Sequence, residues 1–421
     1  MRRARQTPRG VQDLLPDEFR QRERVGAAVQ AVFERWGYEP VTTPAFERLE
    51  VLAAAAGWVP EDRLYTLYDR EGTPLALRPE MTTPLCRVAA TRLKDAPEPI
   101  RLCYLADVFR FEEPQAGRRR QFRQAGVELF GVRGPQADAE VIALAVTALA
   151  ATGVKEAFFD VGHVEFVRGL TDFGPGNESA AQAIRRALCE RDYVALAQEA
   201  AQADIGAAER RALMALPHLR GGAEVLETAR RLVEHVRASA RCLAAIDELS
   251  AVLAMLDPYS LDGQVRLDLG LLRDIDYYSG MVFEGYAAEV GVPLCTGGRY
   301  DPLTAVFGLA RPATGFALGL ERILFALERQ AAAAPSGAEP VRIVRLVVER
   351  AEPEVWRFAV RTAERWRAAG LRVALDCGTP SGHAGATVRV SGVGELWWMG
   401  EGDAAPERVE PEEVPLRASP R

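Results

Sequence analysis

The segment DVFRFEEPQAGRRRQFRQAGVELFG, residues 107–131, constrains this chain more than any other stretch. Val108, Phe109 and Phe111 lead into it, and Phe122, Val127, Leu129 and Phe130 lead out. Such residues on either side of a Pro- and Gly-containing centre form the pattern of a β-hairpin. Five arginines and four carboxylates are nevertheless threaded through it. Side chains alternate faces along a strand, so Gln124 and Glu128 fall on the same face. The two strands are expected to hold Arg110, Glu112, Arg118, Arg120, Gln124 and Glu128 as a polar working face. A solvated loop is the alternative reading of a bare charge run.

Composition limits what that face can hold. A length of 421 residues suggests two or three domains, each with its own core. With 48% hydrophobic and 26% charged residues, the chain is ordinary for a soluble globular protein. The net charge of −7 excludes a chain that binds nucleic acid through overall counterion release. Any anionic ligand must be met by a local pocket. Six cysteines show no CxxC pair, and four histidines show no HxH or HExxH spacing. Reduced, buried thiols are expected, with neither a protein-built zinc site nor a cofactor. MRRARQTPRG at the N-terminus is basic but lacks the apolar core of a signal peptide. The longest apolar run, Val141 to Val154, is too short to span a bilayer. These features predict a soluble cytoplasmic protein.

The spacing of apolar residues predicts a helix over 16–36, with Val25, Val29, Val32, Phe33 and Trp36 on one face. Strands follow at 65–69 and 74–79, then a helix near 83–93, the hairpin, a helix at 136–152 and a strand at 155–162. Between 164 and 260, Ala-, Leu-, Arg- and Glu-rich segments with 3.6-residue periodicity predict a helical insertion. Strands return at 265–271 and 277–288, and ATGFALGLERILFALER closes the first 330 residues as a strand–helix unit. AAAAPSGAEP at 331–340 reads as a linker, 341–403 as a small βαβ-containing domain, and 404–421 as a disordered tail.

Three stretches carry chemistry. LRPEMTTP (77–84) places Arg78 and Glu80 just before a helix, LLRDIDYYSGMVFEGY (271–286) sets paired tyrosines in an expected strand, and GGRYDPL (297–303) reads as a turn. Each alone has a plain structural reading; together with the hairpin they resemble the catalytic core of histidyl-tRNA synthetase, a class II synthetase. The resemblance runs from PRGVQDLLP to GFALGLERI and thins through the insertion.

It implies an α+β fold: a class II aminoacyl-tRNA synthetase-like, mostly antiparallel sheet flanked by helices, with the helical insertion and a small C-terminal α/β domain. It places Arg110, Glu112, Arg118 and Arg322 at nucleotide-binding positions. Glu80, Thr82, Gln124 and Arg273 match residues around the amino and carboxylate groups of histidine. Glu128, Tyr278 and Tyr300 match those around its imidazole, and Tyr277 is a further expected histidine-binding residue. The chemistry agrees with such a pocket. An ammonium needs an anion, a carboxylate needs an arginine, and a carboxylate plus a hydroxyl reads an imidazole.

Several departures from the synthetase pattern are present. Met81 stands where LRPEGT has glycine and is expected to crowd the pocket edge. Glu113 in FEEPQ replaces an arginine expected near the tRNA acceptor end, and RDIDYY stands for RGLDYY. Residues 341–421 carry twelve arginines and twelve acidic residues, with no basic stripe for an anticodon. These departures are similar to a second family on the same core, the regulatory subunit of the short-form ATP phosphoribosyltransferase. That family shares LRPEMTTP, VGHVEFVRGL, LPHLRGGAEVLETA and DLGLLRDIDYYSGMVFEGYA. Its likeness implies a non-catalytic partner of a small catalytic subunit in the first step of histidine biosynthesis, with histidine as feedback effector. It further implies a homodimer within a hetero-octamer and no tRNA binding. An active histidyl-tRNA synthetase is the alternative, kept open by Arg110, Glu112 and Arg322.

Overall fold

A nine-stranded sheet organises the first part of the computed structural model. The structure describes residues 6–54, 61–113, 119–261, 263–273, 277–288, 290–332, 344–348, 353–369, 371, 373–377, 387–392, 395–399 and 407–411. The chain forms two compact units, Met1–Pro335 and Ser336–Arg421.

In space, the sheet of the first unit runs Glu39–Pro40, Ile100–Phe109, Gln121–Phe130, Ala313–Gly319, Cys295–Arg299, Met281–Ala287, Ala157–His163, Val265–Asp268 and Arg220–Gly221. The six strands from Ile100–Phe109 to Ala157–His163 pair antiparallel; Glu39–Pro40 joins Ile100–Phe109 and Val265–Asp268 joins Ala157–His163 in parallel, and Arg220–Gly221 closes the sheet antiparallel. This is the mixed α+β architecture that the synthetase resemblance implies. Its two faces differ by the pleat. Cys103, Ala125, Val127, Leu129, Phe283, Phe316 and Leu318 point into a large helical core, where the almost wholly buried helix Pro135–Ala151 lies. Leu102, Tyr104, Val108, Phe130 and Val282 face a second core with Leu85 and Met81.

The helix Pro16–Arg35 starts with proline at its first turn and buries Val25, Val29, Val32 and Phe33, as its periodicity predicts. Residues Phe46–Arg48, Thr66–Tyr68 and Pro74–Leu77 make a separate three-stranded sheet. Five helices, Glu178–Glu190, Tyr193–Gln202, Ala207–Ala215, Glu224–Val233 and Ser239–Leu256, build most of the insertion. It is not wholly helical: after Pro217 the chain turns and Arg220–Gly221 pairs with Leu267 and Asp268. No helix among the described residues is long and apolar enough to cross a membrane.

The second unit has a sheet ordered Val373–Cys377, Val344–Val348, Thr387–Gly392, Glu395–Met399 and Glu407–Val409, with the helix Pro353–Ala368 beside it. The tail expected to be disordered after Asp403 is corrected over residues 407–411. Glu407–Val409 pairs with Leu396–Trp398, and Trp366 Nε1 donates to the Pro411 carbonyl at 2.7 Å. Most of the expected linker, 333–340, lies outside the described residues.

Candidate ligand cleft

Small residues hollow the sheet face that lies opposite the large helical core. In ATGFALG, Phe316 and Leu318 enter that core, so Gly315, Ala317 and Gly319 alternate onto the other face. They stand opposite Glu128, Gly126 and Gln124 across the neighbouring strand. A cavity of about 110 Å³ results. Glu80, Thr82, Arg110, Gln124, Glu128 and Arg273 line it, with Tyr277, Tyr278, Tyr300 and Arg322. Of the remaining expected residues, Glu112 lines an adjoining groove instead, and Arg118 lies outside the described residues.

Glu128 is the most enclosed polar group of the cleft. Only 1% exposed, it accepts the Thr82 hydroxyl at 2.7 Å and the Tyr300 hydroxyl. Burial pushes its carboxyl up to about 8, against the pull of these hydroxyl hydrogen bonds. Thr82, expected near an amino group, therefore belongs with the Glu128–Tyr300 cluster. Tyr277 packs against Tyr278 in a tilted arrangement with centroids 4.3 Å apart and meets Tyr300 edge-on at 5.5 Å. The paired tyrosines are not in a strand, because pairing begins at Met281. They close the cleft from the segment before it.

At the other end, both Glu80 oxygens accept the Thr83 N–H, at 3.0 and 3.1 Å, closing the first turn of the helix Thr82–Thr91. Burial raises its carboxyl above the ordinary carboxylate range. Arg110 and Glu112 lie beyond the strand that ends at Phe109, where ladder pairing gives way to irregular backbone. Arg110 Nε donates to the Pro79 carbonyl at 2.8 Å, and its guanidinium lies 5.3 Å from the Phe122 ring centre. Arg322 donates to the Pro293 carbonyl at 2.8 Å. Arg273 is paired within the protein, Nη1 to Glu284 Oε1 at 2.5 Å. Gln124 Oε1 and Arg273 Nε are buried without a hydrogen-bond partner among the described residues, and such atoms are costly unless something meets them.

Two expectations from the sequence are corrected here. Met81 does not crowd the cleft: it is fully buried in the second core, where its sulfur meets the Thr43 hydroxyl at 3.8 Å. A large apolar side chain gains more from that core than from a polar rim. The GGRY stretch is not a mere turn, since Cys295–Arg299 is a central strand of the sheet. Its glycines are needed there: a Cβ on Gly297 would lie 2.5 Å from the Gly315 carbonyl, and one on Gly298 2.9 Å from the Tyr278 ring. Arg78, flagged beside Glu80, braces the backbone by donating to the Asp107 carbonyl at 2.9 Å and to that of Thr43.

Residues that sequence reasoning missed include Phe122, Thr296, Gly315, Ala317 and Glu284. The large–small alternation in ATGFALG was the available signal for the glycine floor. Glu284 had none: Thr296 opposite it and Arg273 on the preceding loop meet it only in the fold.

Comparison with known proteins places this geometry. The family model described as histidyl-tRNA synthetase matches residues 10–323. An ATP phosphoribosyltransferase regulatory subunit from Moorella thermoacetica is 42% identical over 398 residues, 94% of this chain and 98% of that protein. The chain belongs to the family of ATP phosphoribosyltransferase regulatory subunits. Another member, from Symbiobacterium thermophilum, is 42% identical over 372 residues, covering 88% of this chain and 90% of its own length. The crystal structure of an ATP phosphoribosyltransferase regulatory subunit/histidyl-tRNA synthetase from Bacillus halodurans superposes with a TM-score of 0.77 at 33% identity, covering 89% of this chain and 93% of that one. Histidyl-tRNA synthetase from Nostoc shares the fold, with a TM-score of 0.77 at 21% identity over 98% of each chain. The family thus keeps a synthetase core.

Proposed function

We propose that the chain is the non-catalytic regulatory subunit of an ATP phosphoribosyltransferase, and that its cleft takes free histidine as the feedback effector. In this reading it activates a short catalytic chain in the cytoplasm, as a homodimer within a hetero-octamer, and does not bind tRNA. The observation that carries the ligand assignment is the buried Glu128 held between the Thr82 and Tyr300 hydroxyls. A carboxyl beside phenol and alcohol groups offers both an acceptor and donors, which suits the two nitrogens of an imidazole. Arg273 supplies a fork for a carboxylate at the far end, and Gln124 Oε1 an acceptor for an ammonium. Loss of tRNA binding is supported by Glu113, exposed and paired with Arg9 at 2.7 Å, which sets a carboxylate on the hairpin where phosphate would have to approach.

A second reading, histidine activation with ATP and tRNA charging, draws on Arg110 and Arg322, which line the same cleft. One paired assay separates the two. The purified chain is mixed with histidine, ATP and tRNA, and separately with the short catalytic chain, ATP and phosphoribosyl pyrophosphate. The proposal expects no histidyl-tRNA in the first tube and histidine-inhibited turnover in the second. Charging without stimulation would reverse the assignment.

A further inference from the structure

Glu284 lies between arginines from two parts of the first unit. Its Oε1 accepts from Arg273 Nη1 at 2.5 Å. Its Oε2 accepts the Tyr286 hydroxyl and, at 3.3 Å, Arg191 Nη2. Arg191 also donates to the Tyr286 hydroxyl at 2.8 Å and lies over that ring at 5.6 Å. It directly follows the insertion helix Glu178–Glu190 and is held at φ 56°, a left-handed conformation uncommon for a residue with a side chain. The insertion thus meets the strand Met281–Ala287 at a carboxylate shared with the cleft arginine. Arg273 lines both the cleft and the adjoining groove, and its Nε has no partner among the described residues.

Glu284 already holds Nη1, so a ligand carboxylate that takes the Nη1–Nη2 edge of this guanidinium must displace it. We infer that Glu284 is an internal counter-ion competing with the ligand carboxylate for Arg273, and that its release on ligand binding transfers its charge to Arg191 at the base of the insertion. Glu284 is a positioning residue in this scheme: it sets how much of Arg273 is available, and it reports cleft occupancy to the helices after residue 178. The inference rests on the histidine reading of the cleft. It adds a specific competition between two carboxylates and a direction of coupling.

The test uses the full chain, histidine, and histamine, which keeps the imidazole and amine but lacks the carboxylate. Calorimetry compares wild type, Glu284→Gln and Arg191→Gln. An internal competitor lowers apparent affinity by the fraction of protein in the competent state. Glu284→Gln is therefore expected to bind histidine about tenfold more tightly, with no gain for histamine. Arg191→Gln leaves Glu284 to Arg273 alone and is expected to weaken histidine about threefold, again sparing histamine. Its side chain is 40% exposed, so this variant keeps the test open if Glu284→Gln does not fold. Hydrogen exchange completes the test: histidine slows exchange over residues 188–196 in wild type and leaves Glu284→Gln unchanged. A merely structural Glu284 would not alter the ratio of histidine to histamine affinity. Equal histidine binding by all three proteins overturns the counter-ion inference and leaves the histidine reading intact. If histidine binds none of them, that reading falls and the competition falls with it.

Discussion

Gly315 stands directly opposite Glu128 in the pairing of the strands Gln121–Phe130 and Ala313–Gly319, and a Cβ built on it would lie 2.1 Å from Glu128 Oε2. The glycine is what lets the carboxylate lie flat over the sheet. Gly315→Ala also meets the Val127 carbonyl at 2.4 Å, a backbone atom that cannot swing aside. The substitution is expected to cost about 1–3 kcal/mol of stability, as overpacking does, and to weaken histidine binding at least about tenfold. Urea denaturation and calorimetry measure the two effects separately. An alanine variant with wild-type affinity would remove Glu128 from the ligand site.

The raised Glu128 carboxyl makes a pH prediction with a definite sign. The folded state holds this proton more tightly than the unfolded chain, so the stability tied to the group is present in full below the ordinary glutamate value of 4.5 and is lost as pH rises through about 8. Glu128→Gln removes that slope. The difference in Tm between the variant and wild type should therefore shift in the variant's favour from about pH 5 to about pH 9. A difference that stays flat over this range would show that Glu128 is ionised throughout.

Arg273 is the cation proposed above for the ligand carboxylate, among the three arginines that line the cleft. Arg273→Ala is expected to cost about 2–5 kcal/mol of histidine affinity, the usual loss when one partner of a buried charge pair is removed. Arg273→Lys should recover only part of this, because an ammonium lacks the fork. Glu284 keeps Arg191 and Tyr286 as partners in either variant, so the fold should survive. Unchanged affinity in Arg273→Ala, read by calorimetry, would mean that the ligand carboxylate lies elsewhere.

Arg311 offers a contrast between stability and function. Its Nη1 donates to the Ala89 and Leu93 carbonyls at 3.0 and 2.9 Å and its Nη2 to Lys94 at 2.6 Å, while Nε pairs with Glu98. These bonds satisfy the Ala89 carbonyl in the last turn of the helix Thr82–Thr91 and two carbonyls of the turn that follows it. Arg311→Met is expected to destabilise by about 2–4 kcal/mol, with the folded fraction binding histidine normally. A loss of affinity without a loss of Tm would reverse that assignment.

Periodicity carried much of the reading wherever an element has one buried face. Val25, Val29, Val32 and Phe33 show it on the first helix, whereas Gln124 to Phe130 is buried on both faces. The reading failed where distant chain segments decide local structure. Glu407–Val409 has little strand propensity of its own and is ordered by pairing with Leu396–Trp398. The glycine-rich Cys295–Arg299 strand is set by close approach of its neighbours, which propensity cannot register. Met81 adjoins the cleft residue Glu80 in sequence, but the first turn of a helix sends adjacent side chains in different directions. The partner of Arg273 was hidden for a similar reason: Glu284 is on a strand and Arg273 on the loop before it, so no single period relates them.

Both rims of the nine-stranded sheet are only two residues long, and one of them contains Pro40. Short rims and proline leave little unpaired backbone for another chain to add to. The rim Arg220–Gly221 is supplied by the insertion, so the insertion also shields the strand Val265–Asp268 from edge-to-edge association. A version of the chain trimmed of its insertion would expose a four-residue strand with a free hydrogen-bonding edge. The helices that receive the Arg191 contact thus also guard the solubility of the sheet beneath them.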